Sequence, residues 1–113
     1  MISDVTLRTL QASLWGLDSR RKAAENNIAN VETPGFTAST VSFEDSLRDA
    51  VDRGRPASLS IDSDPSPAAS LPNGNNVDMA DEQVSLTETA LRQQLVVQAM
   101  NGKYDVMRTA ING

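Results

Sequence analysis

The fold is decided by an apolar repeat near the start of the chain, residues 7–31, which read LRTLQASLWGLDSRRKAAENNIANV. Within this stretch the seam positions step alternately by three and four residues, as in a coiled coil. They are Leu7, Leu10, Leu14, Leu17, Arg21, Ala24, Ile28 and Val31, and only the arginine is polar. A 3.5-residue repeat favours left-handed supercoiling against a partner helix. We therefore expect a coiled-coil helix within 1–31, capped by Ser3 or Asp4.

The other end of the chain, 77–113, carries the same alternating repeat. Its positions are Met79, Gln83, Leu86, Ala90, Gln93, Val97, Met100, Tyr104, Met107 and Ile111. A second apolar set widens the stripe, so this helix is expected to contact more than one neighbour. That set is Val84, Leu91, Leu95 and Val96. Asn76 or Asp78 is the expected N-cap, and Asn101-Gly102 is the weakest point of the helix.

Between the two helices the chain is rich in turn-forming residues. Residues 32–53 are expected to hold a turn at Thr33-Pro34-Gly35 and then a short amphipathic helix capped by Ser42. Residues 54–76 are rich in Pro and Ser, with few residues able to form a core, so a flexible insert is expected there.

Together these patterns predict an all-α chain. Its two long terminal helices form an antiparallel coiled-coil hairpin, with a short helix and a loop-rich middle. One partner helix cannot cover the wide stripe of the second long helix. Exposed apolar surface of that extent indicates a protein–protein interface. We therefore expect an assembly subunit whose ordering is coupled to assembly.

Composition excludes several classes of function. The 113 residues include no Cys and no His and have a net charge of −5. A thiolate nucleophile, an imidazole metal ligand and a Ser-His-Asp triad are therefore impossible, and acidity argues against nucleic acid as a partner. Adjacent carboxylates such as Glu44-Asp45 do not face each other on a helix. We predict no enzyme, no catalytic, cofactor-binding or metal site, and no small-molecule substrate.

Several positions leave two interpretations open. Gly16 either allows close approach of a neighbour or is simply a tolerated small residue. The run at residues 20–22, Arg-Arg-Lys, is expected to be a solvated face. Asn26, Asn27 and Asn30 either cap the helix end or form hydrogen bonds between subunits. Asn73-Gly74-Asn75-Asn76 is expected to be a turn leading into the second long helix.

Two segments also resemble a known family. Residues 24–36, AENNIANVETPGF, resemble the SNIANxxTPGY signature of bacterial flagellar rod and hook proteins. Residues 73–79, NGNNVDM, are similar to the DGNNVD segment of the proximal rod family FlgB. The matching positions are Asn27, Ile28, Ala29, Asn30, Thr33, Pro34, Gly35, Phe36, Gly74, Asn75, Asn76, Val77 and Asp78. The sequence departs from the family pattern at Glu25, where a small residue is usual, and at Gln93, where an aromatic residue is usual.

The resemblance implies a structural subunit of the flagellar basal-body proximal rod. Such subunits pack helically around a central channel and transmit torque. They reach the periplasmic rod through the flagellar type III apparatus, without a cleavable signal peptide. The implied partners are other copies of the chain, other proximal rod proteins, the basal-body adaptor protein FliE and the export gate. The alternatives are an acidic helical chaperone of type III export and, more remotely, a small enzyme.

The seam positions expected at subunit interfaces come from both long helices. They are Leu7, Leu10, Leu14, Leu17, Ala24, Ile28, Leu86, Ala90, Val97, Met100, Tyr104, Met107 and Ile111.

Overall fold

The structure is a computed structural model that describes the backbone of residues 2–112 and the side chains of residues 5–112. The expected caps Ser3 and Asp4 therefore lie outside the described side chains. In chain order the elements are α1 (Ile2–Ala29), β1 (Ser39–Ser42), α2 (Glu44–Asp52), a 3₁₀ turn (Pro56–Ser58), β2 (Asp62–Pro65) and α3 (Met79–Asn112). The molecule is mostly helical and extends over 64 × 26 × 14 Å.

The two long helices expected from the repeats are present, and they pack against each other. Helix α1 has 28 residues and α3 has 34, and α3 is continuous through Asn101-Gly102. Asp78 caps α3, since its Oδ1 accepts a hydrogen bond from the Asp81 N–H at 3.2 Å. Such a cap satisfies one of the N–H groups that a helix start leaves free.

The all-α expectation needs one addition, because the middle of the chain contains a two-stranded antiparallel sheet. Ser39 pairs with Pro65 and Ser42 pairs with Asp62. Two strands of four residues each carry too weak an alternation to be read from sequence. Residues 54–76 hold β2 and the 3₁₀ turn, and the flexibility expected for that insert stays a prediction.

The start of the short helix also differs from expectation. Ser42 does not cap α2, because it lies in β1 and Phe43 occupies the N-cap position without a side-chain hydrogen bond. The Phe43 N–H instead donates to Oε1 of Glu44 at 3.2 Å. The aromatic ring is 4% exposed, so burial of Phe43 takes precedence over conventional capping at this position.

A small core lies where β1 and α2 cover one side of the hairpin. Its buried centre is Leu17, Val41 and Phe43, and the side chains packed on it are Ala23, Leu47, Leu59, Ile61 and Val96. The question left open for Gly16 is answered here. A Cβ atom at Gly16 would lie 2.4 Å from the Phe43 ring, so the glycine permits the ring to contact the helix backbone. Close approach, and not simple tolerance, explains this residue.

Candidate subunit interface and amide clasp

The segments resembling the two family motifs meet at the end of the hairpin where α1 ends and α3 begins, which we call the hinge end. The Gly35 N–H donates to the Asn73 carbonyl at 2.9 Å, and the Asn76 N–H donates to the Phe36 carbonyl at 3.3 Å. Three buried asparagines, Asn27, Asn75 and Asn76, tie this region together, and we name them the amide clasp. Their side-chain amides join residues as far as 55 and 45 positions apart in sequence.

Asn27 connects α1 to β1 and α3. Its Oδ1 accepts from the Ser39 N–H at 2.9 Å, and its Nδ2 donates to the Ser39 carbonyl at 2.9 Å. Nδ2 also donates to Oε1 of Glu82 at 3.0 Å. The side chain is 1% exposed, so it pairs with β1 much as a neighbouring strand would. Neither interpretation left open for Asn27, capping or inter-subunit bonding, describes this role.

Asn75 closes the end of α1 from the opposite segment. Its Nδ2 donates to the carbonyls of Asn30 and Thr33, both at 2.8 Å, and its Oδ1 accepts from the Val77 N–H at 2.8 Å. The same two carbonyls also accept from the N–H groups of Thr33 and Phe36, so the Asn75 amide adds a second hydrogen bond to each and ties the segment after α1 to the loop before α3. Asn30 contributes a local bond, from its Nδ2 to the Asn26 carbonyl at 2.8 Å.

Asn76 joins the loop before α3 to the residues just before β1 and just after β2. Its Oδ1 accepts from the Ala38 N–H at 2.6 Å, while Nδ2 donates to the carbonyls of Ser66 and Ala68 at 3.1 and 3.2 Å. Among the described side chains, no buried nitrogen or oxygen lacks a hydrogen-bond partner. The clasp therefore meets the requirement that buried polar groups be paired.

Two glycines allow the turns of the clasp to lie against each other. Gly35 has φ +74°, and the Phe36 N–H donates to the Thr33 carbonyl at 3.2 Å, which confirms the turn expected at Thr33-Pro34-Gly35. Gly74 has φ +83°, and a Cβ there would lie 3.2 Å from the Gly35 Cα. A positive φ and a close backbone approach both favour glycine.

Arg20 links the hairpin to the middle segment and is not part of a fully solvated basic face, which corrects that expectation. Its Nη2 donates to the Val41 carbonyl at 2.9 Å and to Oε1 of Glu44 at 2.7 Å, and the guanidinium lies 4.9 Å from the centre of the Phe43 ring. The hydrogen bond from Arg20 is the main reason that the pKa of Glu44 falls to about 2. Arg92 on α3 approaches the same carboxylate at 3.6 Å.

Glu82 lies in an environment that shifts its pKa in the opposite direction from that of Glu44. Burial raises the pKa of its carboxyl group above the ordinary value, and the nearby carboxylates of Asp81 and Asp78 add to that effect. The hydrogen bond from Asn27 opposes the shift. A cleft of about 260 Å³ beside Glu82 is lined by residues of α1, β1 and α3. Among the described residues, no three His, Cys, Asp or Glu side chains are placed to hold a metal ion.

The structure divides the expected interface residues into three groups. Leu17 and Ala24 are buried inside the chain. The half-buried residues are Leu7, Leu10, Leu14, Ile28, Leu86, Met100 and Met107. The exposed residues are Ala90, Val97, Tyr104 and Ile111. Only the last two groups present side-chain surface to a partner.

The face of α3 that packs on α1 is not the whole predicted seam. Thr89 is 2% exposed, and Val96 packs on the core, although neither belongs to the repeat. A threonine gives no apolar signal, which is why its burial was missed. None of the helices described over 2–112 is long and apolar enough to cross a membrane.

Comparison with known proteins identifies the family. No protein-family model matches the chain. The chain is 32% identical over 121 residues to the "Flagellar basal body rod protein FlgB" of Bacillus subtilis, covering 96% of this chain and 94% of the relative. The chain belongs to the FlgB family of flagellar basal body rod proteins.

Other relatives agree with this assignment. The proteins of the same name from Escherichia coli and Salmonella typhimurium are each 27% identical, over 129 and 131 residues. The alignments cover 96% and 97% of this chain, and 94% and 95% of the relatives. The chain is thus a structural component of the flagellar basal body rod. The comparisons do not support the export-chaperone alternative, because the alignments with rod proteins cover nearly the whole length of both chains.

Proposed function

We propose that this chain is a non-catalytic subunit of the proximal rod, located in the periplasmic part of the basal body, which transmits torque through helix–helix packing around a central channel. The main support is the apolar surface that α3 leaves exposed although it already packs on α1. The side chains concerned are Val84, Leu91, Leu95, Val97, Tyr104, Val106 and Ile111, which are 44–81% exposed. Apolar surface of this extent is expected to be covered in an assembly.

The half-buried and exposed seam residues form the proposed interface. Leu14 on α1 and Val97 on α3 belong to the two apolar repeats, yet each keeps surface outside the hairpin. The amide clasp has a different role in this proposal. It holds the hinge end in one conformation, so that the two helices present their seams with a fixed relative position. Rigid packing of many helices is what the transmission of torque requires.

The partners follow from membership in the rod family. Other copies of the chain and other proximal rod proteins would cover the exposed seams. The adaptor protein FliE and the export gate would be neighbours at the base of the rod. The chain would reach its place as a substrate of the flagellar type III export apparatus. Part of its ordering would then occur on assembly, when the exposed side chains find partners.

The test places a charge on each seam. Leu14→Asp and Val97→Asp are expressed in a flagellated bacterium that lacks its own subunit, with the wild-type chain as reference. Burying an unpaired carboxylate in an apolar interface is costly, so both variants should lose motility and incorporation into basal bodies. Incorporation is measured by immunoblotting purified basal bodies.

Gln94→Asp is the matched control, because Gln94 is exposed on α3 outside both apolar sets. It should assemble and swim normally, and all variants should be expressed at the same level. Normal incorporation of both seam variants would contradict the proposed interface. Failure of the wild-type chain itself to restore motility would count against the proposed function.

A further inference from the structure

Helix α3 has an outer face that remains exposed among the residues that the structure describes. Its members recur at helical spacing, and all are exposed: Asp81, Glu88, Leu91, Leu95, Gly102 and Val106. Asp81, Glu88, Leu95 and Gly102 are each seven residues apart, so they follow one line along the helix. We call this set the outer face of α3. It is distinct from the seam tested above, which contains Val97.

Helix α1 has a matching outer face, which consists of Arg8, Trp15 and Lys22. These three residues are also seven apart and are all exposed, and Trp15 keeps 47% of its surface accessible. This face is basic with an aromatic centre, whereas the outer face of α3 is acidic at one end and apolar beyond it.

The charges on the two faces are available for pairing. Within the described residues, Arg8, Asp81 and Glu88 take part in no salt bridge. Lys22 approaches only Asp18 of its own helix, at 3.1 Å, and its side chain remains 70% exposed. Complementary charge on two surfaces favours and orients their association.

Gly102 provides a second, independent indication. A glycine inside a helix is destabilising relative to alanine. For Gly16 the reason lies within the chain, because a Cβ there would collide with Phe43. At Gly102 a Cβ would meet no atom of the described residues within 4 Å, so the described part of the chain gives no reason for the missing side chain. Close approach of a helix from outside the chain would give one.

The two faces match in spacing as well as in charge. When Trp15 is placed against Leu95, one cation of α1 lies seven residues away, opposite Glu88. The other cation then lies opposite Gly102, where the absent side chain leaves room for a long aliphatic stem. This correspondence holds whether the two helices run parallel or antiparallel, because both faces repeat every seven residues.

We propose that the outer face of α1 in one copy of the chain binds the outer face of α3 in the next copy, with Trp15 on Leu95 and a cation on Glu88. The inference rests on the proposed function, since it identifies the surface through which copies meet. The two faces lie on different helices of one chain, so the contact is heterologous. Heterologous contacts generate rings or open helical assemblies and not closed dimers. A rod built from successive copies needs contacts of that kind.

The first test reverses one charge and then restores the pair. Glu88→Lys should lower incorporation into basal bodies about tenfold, because it places like charges together. Adding Lys22→Glu to the same chain should restore incorporation if the helices are antiparallel, and adding Arg8→Glu should do so if they are parallel. Asp49→Lys makes the same charge change at an exposed position on α2 and should have no effect.

Circular dichroism of each purified variant shows whether its helices are intact. The inference is overturned if Glu88→Lys, with intact helices, behaves like Asp49→Lys. It is also overturned if neither second substitution restores incorporation. Loss of helix in Glu88→Lys would move the decision to the cross-linking experiment, which leaves Glu88 unchanged.

The second test does not depend on motility, so it separates this inference from the proposed function. The chain contains no cysteine, which makes introduced thiols unambiguous. A Trp15→Cys copy and a Leu95→Cys copy carrying a size tag are mixed at high concentration and oxidised. The mixed disulfide should form about tenfold more than with Gln94→Cys, the position next to Leu95 that lies off the outer face. Equal yields from the two mixtures would overturn the inference, even if the chain restores flagella.

Discussion

The hinge end and the open end of the hairpin differ in what they bury. At the hinge end, Asn27, Asn75 and Asn76 are at most 7% exposed and fully hydrogen-bonded. Toward the open end, Tyr104 and Ile111 are 48% and 81% exposed. Polar groups are inside at one end and apolar groups are outside at the other. The buried polar groups at the hinge end therefore find their hydrogen-bond partners within one chain. The exposed apolar groups at the open end need a partner chain to cover them.

This difference follows from the requirements of the two kinds of group. A buried amide needs specific donors and acceptors at fixed positions, and the turns of a single chain can supply them. An apolar stripe needs only a complementary surface, which another copy can provide as well as its own chain can. The hinge therefore determines the conformation of the subunit, and the open end is left for assembly.

The most severe test of the hinge is Asn75→Ala. The substitution removes the hydrogen bonds to the carbonyls of Asn30 and Thr33 and leaves the buried N–H of Val77 without its partner, so the free energy of unfolding should fall by about 3 kcal/mol. Thermal or urea unfolding of the purified chain, followed by circular dichroism, measures the change. Asn101→Ala, at an exposed position of α3, is the matched control and should change stability by less than about 0.5 kcal/mol. Equal effects of the two substitutions would contradict the proposed difference between the hinge end and the open end.

The two helix glycines give a test with opposite signs. Gly16→Ala places a methyl group against the Phe43 ring and should destabilise the chain by about 1–3 kcal/mol. Gly102→Ala meets no neighbour among the described residues and should stabilise the isolated chain by up to about 1 kcal/mol, through helix propensity alone. The same unfolding measurement serves for both. A stabilising Gly16→Ala would contradict the close packing of Phe43 on α1.

A third test concerns the link between hairpin and middle segment at Glu44. Its folded pKa of about 2 lies below its ordinary 4.5, so its contribution to stability is present above pH 4.5 and is lost as the pH falls toward 2. Because the side chain is 47% exposed, solvent screening reduces the effect to about 1 kcal/mol. Glu44→Gln should therefore be less stable than wild type at pH 7 and equal to it near pH 2. Unfolding free energies across that range measure the difference. A constant difference at all pH values would exclude the ion pair as its cause.

The smallest expected effect concerns Glu82, whose contribution to stability should fall as the pH rises, opposite to that of Glu44. Burial raises the pKa of Glu82, so the folded chain holds its proton more tightly than the unfolded chain does. The contribution of protonated Glu82 to the stability of the fold is complete below its ordinary pKa of 4.5. It declines as the pH rises through the raised pKa of the folded chain. Glu82→Gln keeps an oxygen that can accept from Asn27 and should remove this decline. Unfolding at pH 4 and pH 7, with Glu88→Gln as the exposed control, measures it. A decline that persists in Glu82→Gln would assign the dependence to another group.

Much of the architecture is readable from the repeats. The apolar steps of three and four residues predict both long helices, and the structure confirms them. The turn at Thr33-Pro34-Gly35 and the cap at Asp78 are local features, set by the φ of Pro and Gly and by a carboxylate near free N–H groups. Such features need only a few neighbouring residues, which is why sequence patterns reveal them.

The candidate site was only partly predictable. The resemblance identifies the motif asparagines but not their hydrogen-bond partners, because Asn27 and Asn75 are bound to groups far away in the sequence. The burial of Thr89 and the pairing of β1 with β2 were missed for the same reason. An amide or a hydroxyl group carries no periodic signal that distinguishes a solvated side chain from a buried and fully bonded one.

The sequence by itself therefore determined the two long helices, the turn between them, the family and an apolar surface larger than one chain can cover. The tertiary structure alone decided which part of that surface is used internally. In the folded chain Thr89 is buried and Val96 packs on the core, whereas Val97 and Tyr104 stay exposed. Buried amides join the two motif segments. The physical reason is that periodicity is local, whereas the choice of partner depends on how the chain folds back on itself.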